Sequence, residues 1–152
     1  MTPTTPIVVI DTNLLVRALI GGPGSSSLLQ AWQAQRIHLA VCQETLEELA
    51  EALARPRLQK YFTQHDVQEL LFLLRQHGMW VQIETHVKLC RDPKDDLLLN
   101  LAISAGARYL VSADKDLIDD DVLQETMERE YNVKVMDVPQ FIASLERDHV
   151  RF

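Results

Sequence analysis

Short apolar runs separated by helical patterns constrain the fold of this chain more than any other feature. Ile7–Ile10 is a continuous β-branched run without polar alternation, which is typical of a strand buried on both faces. Similar runs predict strands over residues 37–41, 109–111 and 133–136, and a short strand is expected over residues 80–83. Strands that alternate with helices form parallel sheets covered on both faces. We therefore predict the α/β class: a three-layer α/β/α fold with a central parallel sheet of four to five strands.

Six segments between and after these runs carry apolar residues at helical spacing. They lie over residues 14–19, 28–32, 45–54, 66–77, 93–105 and 139–145. The fifth has the clearest boundaries, since Asp92 is suited to cap it, Pro93 occupies its first position and Gly106 ends it. Ligands in such folds bind beyond the carboxyl ends of the strands, so we expect the chemistry of this protein there.

The composition is that of one globular domain over residues 1–152. Apolar residues make up 47% and charged residues 24% of the chain, so a core can form without disulfides. Cys42 and Cys90 do not have zinc-ligand spacing and are expected to be reduced thiols. Neither a signal peptide nor a run of about 20 apolar residues is evident. We therefore expect a cytoplasmic protein that does not insert into a membrane.

Acidic residues stand at the ends of two predicted strands and at the start of one predicted helix. They are Asp11 after Ile7–Ile10, Asp114 and Asp116 after residues 109–111, and Asp95 and Asp96 in the first turn of the helix over residues 93–105. If the two strands are parallel neighbours, these carboxylates meet at one edge of the sheet, where their mutual repulsion calls for a cation. Oxygen ligands suit hard ions, which indicates Mg²⁺ or Mn²⁺.

Each of these acids also has an ordinary structural explanation when it is taken alone. An aspartate after a strand is a common turn residue, and Asp95 and Asp96 complement a helix dipole. Glu48 shares a polar helix face with three other glutamates, which suits exposure to solvent. The acidic run over residues 119–121 is expected to form a solvated loop or a helix start. It is the combination of strand-end acids and a third acidic pair that indicates a metal site.

Three segments together resemble the PIN-domain superfamily, and within it the VapC-like toxins of toxin–antitoxin pairs. They are VVIDTNLLVRALI, CQETLEELAEALARPRL and RDPKDDLLLNLAISAGARYLVSADKDLI. The resemblance extends over residues 7–145. It implies a ribonuclease that depends on Mg²⁺ or Mn²⁺, an RNA substrate, an antitoxin protein as a partner, and a homodimer.

The resemblance also implies roles for particular residues of this chain. The four acidic positions of the superfamily match Asp11, Glu48, Asp95 and Asp114, which are therefore the expected catalytic residues. The expected metal ligands are Asp11, Asp95, Asp114 and Asp116, with Asp96 as an alternative to Asp95. Asn13 and Ser112 match polar positions that orient the ligands by hydrogen bonds.

Substrate contacts require cations near the acidic edge of the sheet. Arg17, Arg55 and Arg57 are the candidates for RNA phosphates, with Lys60 and Lys115 as further ones. Arg55 and Arg57 are equally well explained as cations at a helix C-terminus. The net charge of −7 is unusual for a nucleic-acid-binding protein, but a metal site without its ion holds several uncompensated carboxylates.

Two other functional classes compete with the nuclease hypothesis. Phosphoryl transfer through an aspartyl phosphate at Asp11 would require a second aspartate two residues later, where the chain has Asn13. The other alternative is a non-catalytic module that binds RNA or a protein and retains a vestigial metal site. Binding of a divalent metal and cleavage of RNA, each tested with Asp11→Asn, distinguish these classes.

Overall fold

The central sheet has five strands, which are all parallel. The structure, a computed structural model, describes residues 5–21 and 25–150, and only the backbone of residues 25, 26, 149 and 150. The strands are β1 (Ile7–Ile10), β2 (His38–Val41), β3 (Met79–Trp80), β4 (Tyr109–Val111) and β5 (Lys134–Met136), in the order β3-β2-β1-β4-β5. This order confirms the predicted parallel sheet. It makes β1 and β4 neighbours, with Ile10 opposite Val111.

One turn of 3₁₀ helix (Pro56–Leu58) and eight α-helices are present in the described part of the chain. The α-helices are α1 (Thr12–Ile20), α2 (Ser25–Gln33), α3 (Gln43–Leu53), α4 (Gln64–His77), α5 (Pro93–Ala105), α6 (Lys115–Ile118), α7 (Asp121–Tyr131) and α8 (Val138–Val150). The six predicted helices are all among them, and most are longer than predicted. Within the described ranges, none of the helices combines the length and the apolar character needed to cross a bilayer.

The helices α6 and α7 were not predicted. The helix α6 is a single turn, which is too short for a periodic pattern. Of the eleven residues of α7, only Leu123 and Met127 are buried, so its apolar stripe is narrow. Asp120 caps α7 by accepting a hydrogen bond from the Leu123 backbone N–H, which makes the acidic run over residues 119–121 a helix start.

Side chains that alternate along each strand enter two separate cores, one on each face of the sheet. Val8 and Ile10 of β1 pack on the face that carries α1 to α4 and α8, whereas Val9 packs on the face that carries α5 to α7. The neighbouring strand β4 divides in the same way, with Leu110 on the second face. These two cores give the three-layer α/β/α architecture that the sequence predicts.

The predicted strand over residues 80–83 is wrong in its bounds. Only Met79 and Trp80 pair with β2, and the backbone N–H of Val81 adds one more hydrogen bond to the carbonyl of Val41. The chain then leaves the sheet and runs along α5 as an irregular segment over residues 81–90, which we call the strap. Its side chains are alternately half-buried and exposed up to residue 88. Hydrogen bonds to side chains of α5 replace a strand ladder here.

Candidate metal centre and active site

Asp11 and Ser112 lie side by side because each directly follows one of two paired strands. Since Ile10 is opposite Val111, the next residues of β1 and β4 leave the sheet together at its carboxyl edge. The Ser112 hydroxyl, which is fully buried, donates a hydrogen bond of 2.7 Å to Oδ2 of Asp11. The other Asp11 oxygen, Oδ1, accepts from the Asn13 backbone N–H at 3.2 Å and caps α1. Both oxygens of Asp11 are therefore held in fixed directions.

Ser112 also connects Asp11 to the turn that carries Asp114 and Asp116. Its Oγ accepts a hydrogen bond of 3.0 Å from the Asp114 backbone N–H. Asp114 in turn caps the short helix α6 by accepting from the Asp116 backbone N–H at 2.9 Å. One buried hydroxyl thus ties the end of β1 to the turn after β4.

Asp95 completes a group of three carboxylates from two separate elements. It lies in the first turn of α5, is only 6% exposed, and is directed towards the turn after β4. Carboxylate oxygens of Asp95, Asp114 and Asp116 all lie within 4.8 Å of one another. Asp116 is the exposed member of the group, so the cluster opens to solvent on its side.

The pKa values of the acids reflect this crowding. Burial, followed by the charge of Asp114, raises the pKa of Asp95 to about 7. Burial also raises the pKa of Asp11, although the hydrogen bonds from Ser112 and Asn13 oppose the rise. At neutral pH, Asp95 therefore keeps its proton in a substantial fraction of molecules that have no bound cation.

Glu48 differs from the other glutamates of α3 in its burial and lies close enough to Asp11 for the two charges to interact. It is half-buried, whereas Glu44, Glu47 and Glu51 are exposed. Burial raises the pKa of Glu48, the charge of Lys94 opposes that rise, and the charge of Asp11 adds to it. The helical pattern by itself left the four glutamates equivalent and the family resemblance selected Glu48, which is also the half-buried one of the four in the structure.

Asp96 is directed away from the cluster, although it directly follows Asp95. Its Oδ1 accepts hydrogen bonds of 2.9 Å from the backbone N–H groups of both Leu89 and Cys90 in the strap. Cys90 is half-buried next to Asp96, and Cys42 is buried in the core. Burial, together with the charges of Asp96 and Asp95, raises the pKa of the Cys90 thiol to about 12, so Cys90 remains a neutral thiol.

The candidate cations fall into a near group and a distant group. Arg17 is exposed on α1, and its charge acts on Asp11. Lys115 lies in a cleft of about 530 Å³ next to Asp116. Arg55 and Arg57, by contrast, are exposed beyond the end of α3, and the helical rise places Arg55 about 10 Å further along the axis than Glu48.

Two further cations near the cluster were not identified from the sequence. Arg91 lines the same cleft as Lys115 and Asp116. Lys94 lies in the first turn of α5, close enough to Glu48 for its charge to lower the pKa of that carboxyl. A cation in the first turn of a helix is unfavourable with respect to the helix dipole, and this was the available signal for Lys94.

The chemistry of these donors fits a divalent metal ion. The three clustered ligands Asp95, Asp114 and Asp116 offer only carboxylate oxygens, which favour hard ions such as Mg²⁺ and Mn²⁺. Their mutual repulsion, seen in the raised pKa of Asp95, is relieved when a cation binds among them. The residues present therefore fit the metal site that the sequence suggests.

Comparisons with known proteins agree with this geometry. Among curated proteins, none matches the sequence at a significant level. A solved structure of VapBC2 from Rickettsia felis, bound to a DNA fragment from their promoter, contains a similar chain. That chain superposes with a TM-score of 0.53 at 15% identity, over 86% of this chain and 98% of its own length, which is a likeness of fold. A sequence profile of the PIN domain matches residues 7–116, more than half of the chain, and the protein therefore belongs to the PIN domain family.

Proposed function

We propose that this protein is a divalent-metal-dependent endoribonuclease that hydrolyses RNA phosphodiester bonds and is the toxin of a toxin–antitoxin pair. Membership in the PIN domain family supports nuclease chemistry. The observation that carries the proposal is the approach of the Asp95, Asp114 and Asp116 carboxylates to within 4.8 Å of one another. Asp95 comes from α5, whereas Asp114 and Asp116 come from the turn after β4, and the repulsion among three clustered carboxylates is relieved by a bound cation.

Asp11, Asp95, Asp114 and Asp116 would hold Mg²⁺ or Mn²⁺ in this proposal. A divalent ion bound there lowers the pKa of a water molecule and neutralises charge on the phosphoryl oxygens. The Ser112 hydroxyl keeps Asp11 in one orientation through its 2.7 Å hydrogen bond, which is the usual task of a residue behind a metal ligand.

Glu48 and Asn13 have supporting roles in the proposed reaction. Glu48 is half-buried and lies close to Asp11, and its raised pKa suits it to orient the attacking water and accept a proton from it. Asn13 is exposed next to Asp11, where its amide can contact the substrate backbone. A nucleophilic side chain is not required for this hydrolysis.

The cations divide the proposed RNA path into a near part and a distant part. Arg17 is near enough to Asp11 to contact the phosphate at the cleavage site or its neighbour. Arg55 and Arg57 lie beyond the end of α3, so they would contact phosphates several nucleotides away. Removal of Arg17 should therefore reduce cleavage of short RNAs, whereas removal of Arg55 and Arg57 should matter only for longer ones.

The proposal is tested with Asp114→Asn and a matched control, Asp119→Asn. Asp119 is exposed and lies outside the group of three, so its replacement removes the same charge without removing a ligand. Mn²⁺ should raise the melting temperature of the wild-type and the control but not of Asp114→Asn. Cleavage of a labelled single-stranded RNA should follow the same pattern. Metal binding without cleavage in the wild-type would instead favour the non-catalytic binding module.

The proposal includes partners and a location. The likeness of fold to a chain of the VapBC2 structure supports an antitoxin protein that covers the acidic cleft. We further propose a cytoplasmic homodimer, with the exposed Phe72 of α4 at the dimer interface. A measured mass of one chain in solution at micromolar concentration would contradict the dimer.

A further inference from the structure

Three polar side chains on one face of α5 hold the strap against the helix. They are Asp96, Asn100 and Ser104, which are four residues apart and therefore lie in one row along the helix. The Ser104 hydroxyl accepts a hydrogen bond from the backbone N–H of Glu84 at 2.9 Å. Asn100 binds both backbone groups of Val87, with its Oδ1 accepting at 2.8 Å and its Nδ2 donating at 3.1 Å. These side chains thus supply the strap with hydrogen-bond partners that a neighbouring strand would supply in a sheet.

Asp96 is the end of this row that lies next to the proposed metal ligands. Both of its hydrogen bonds, from the N–H groups of Leu89 and Cys90, are accepted by a single oxygen, Oδ1. These two hydrogen bonds fasten the end of the strap to the first turn of α5. Asp92 caps the same turn by accepting a hydrogen bond from the Lys94 N–H. The start of α5 is therefore held by two side chains, Asp92 and Asp96, which both accept hydrogen bonds from backbone N–H groups.

The rotation of α5 about its axis decides which of two adjacent acids reaches the cluster. Successive residues of a helix point about 100° apart, so Asp95 and Asp96 cannot both face Asp114. The strap continues from β3, which pairs with β2, so a helix fastened to the strap is held in a fixed position relative to the sheet. The contacts of Asp96 with the strap are thus in a position to set the direction of Asp95.

We infer that Asp96 is a positioning residue, which does not ligate the metal but holds Asp95 towards Asp114 by binding the backbone of Leu89 and Cys90. This inference rests on the proposed metal site. Because both hydrogen bonds end on Oδ1, the side-chain oxygen of asparagine, which has two lone pairs, can still accept both of them. A metal ligand, by contrast, needs the carboxylate charge. Asparagine and alanine should therefore have different effects at position 96.

The experiment compares Asp96→Asn, Asp96→Ala and Asp95→Asn by calorimetric titration with Mn²⁺. We expect Asp96→Asn to keep the wild-type affinity within about threefold, and Asp96→Ala to lose about tenfold or more, as is usual when the support of a ligand is removed. Asp95→Asn should abolish binding. Exchange of the backbone amide hydrogens of Leu89 and Cys90, measured by peptide mass, should accelerate only in Asp96→Ala, because only there are the hydrogen bonds that hold the strap lost.

The outcomes separate this inference from the proposed function. An Asp96→Asn variant that loses Mn²⁺ as Asp95→Asn does would identify Asp96 as a ligand and overturn the inference. An Asp96→Ala variant with wild-type affinity and wild-type amide exchange at Leu89 and Cys90 would overturn it as well. If Asp96→Ala does not fold, the comparison of the two asparagine variants still decides. Wild-type protein that binds Mn²⁺ but cuts no RNA would refute the nuclease while leaving the inference standing on the titrations.

Discussion

Replacing Asp95 with asparagine should stabilise the metal-free protein at neutral and alkaline pH. Asp95 is 6% exposed, and burial together with the charge of Asp114 raises its pKa from 3.8 to about 7. The folded protein keeps the proton of this carboxyl up to a higher pH than the unfolded protein does. The free energy of unfolding therefore falls as the pH rises between the two pKa values. Asparagine does not ionise, so the variant avoids this loss.

The size of the effect follows from the pKa of Asp95. A rise from 3.8 to about 7 corresponds to a ceiling of about 4 kcal/mol at a pH above both values. Burial and the charge of Asp114 cause the rise, and the exposed side of the cluster at Asp116 admits water that screens the repulsion. We therefore expect Asp95→Asn to raise the free energy of unfolding by about 1–3 kcal/mol at pH 8 in EDTA, and by little at pH 4.

Urea denaturation at pH 4, 6 and 8, with EDTA throughout, measures this difference between variant and wild-type. Asp119→Asn is the control, because it removes an exposed aspartate. Its free energy of unfolding should differ from that of the wild-type by the same amount at all three values of pH. With excess Mn²⁺ the order should reverse, since only the wild-type gains stability from the ion. A variant that is less stable than the wild-type at pH 8 in EDTA would refute the reasoning, as would a difference that is the same at all three values of pH.

Three other predictions concern metal affinity and packing. Mn²⁺ should bind about tenfold more weakly for each unit of pH below about 7, because it must displace the proton of Asp95, and calorimetry at pH 5, 6 and 7 would measure this. Ser112→Ala removes the hydrogen-bond donor to Asp11, so it should lower the free energy of unfolding in urea by about 1–3 kcal/mol and weaken Mn²⁺ binding about 10- to 100-fold. An unchanged Mn²⁺ affinity would contradict this role of Ser112. Gly78→Ala should destabilise the fold by about 1–3 kcal/mol, because its Cβ would collide with the Leu74 carbonyl and lie 2.7 Å from a Val41 methyl group; a wild-type urea midpoint would contradict it.

Local patterns predicted most of the fold because strands and helices bury their apolar residues with different periods. Ile7–Ile10 was recognised as a strand buried on both faces, and its side chains do enter both cores. The helix α5 was recognised from its cap, its first proline and its final glycine. The helix α7 was missed because two buried residues are too few to produce a visible period.

The predicted strand over residues 80–83 extended too far into the strap for a different reason. The apolar and polar residues of the strap alternate, which resembles a strand, but its hydrogen-bond partners are Asp96, Asn100 and Ser104 of a helix that follows it in the chain. The available signal was Asn100, a polar residue within the apolar run LLLNLAI. The side chain of a buried asparagine has to be hydrogen-bonded, yet the sequence does not say to what.

The sequence alone predicted that Asp11 and Asp114 lie at one edge of the sheet, because each comes shortly after a buried strand and parallel strands end at the same edge. That β1 and β4 are neighbours, which brings the two acids close together, was decided by the tertiary structure. The sequence also predicted that the candidate ligands offer carboxylate oxygens, which favour hard divalent ions. Only the tertiary structure decided that Asp95 and not Asp96 faces the cluster, that Glu48 is the half-buried glutamate of α3, and that Arg55 and Arg57 are distant. The direction of a helical side chain depends on how the helix is rotated and packed, and contacts with residues far away in the chain set that rotation.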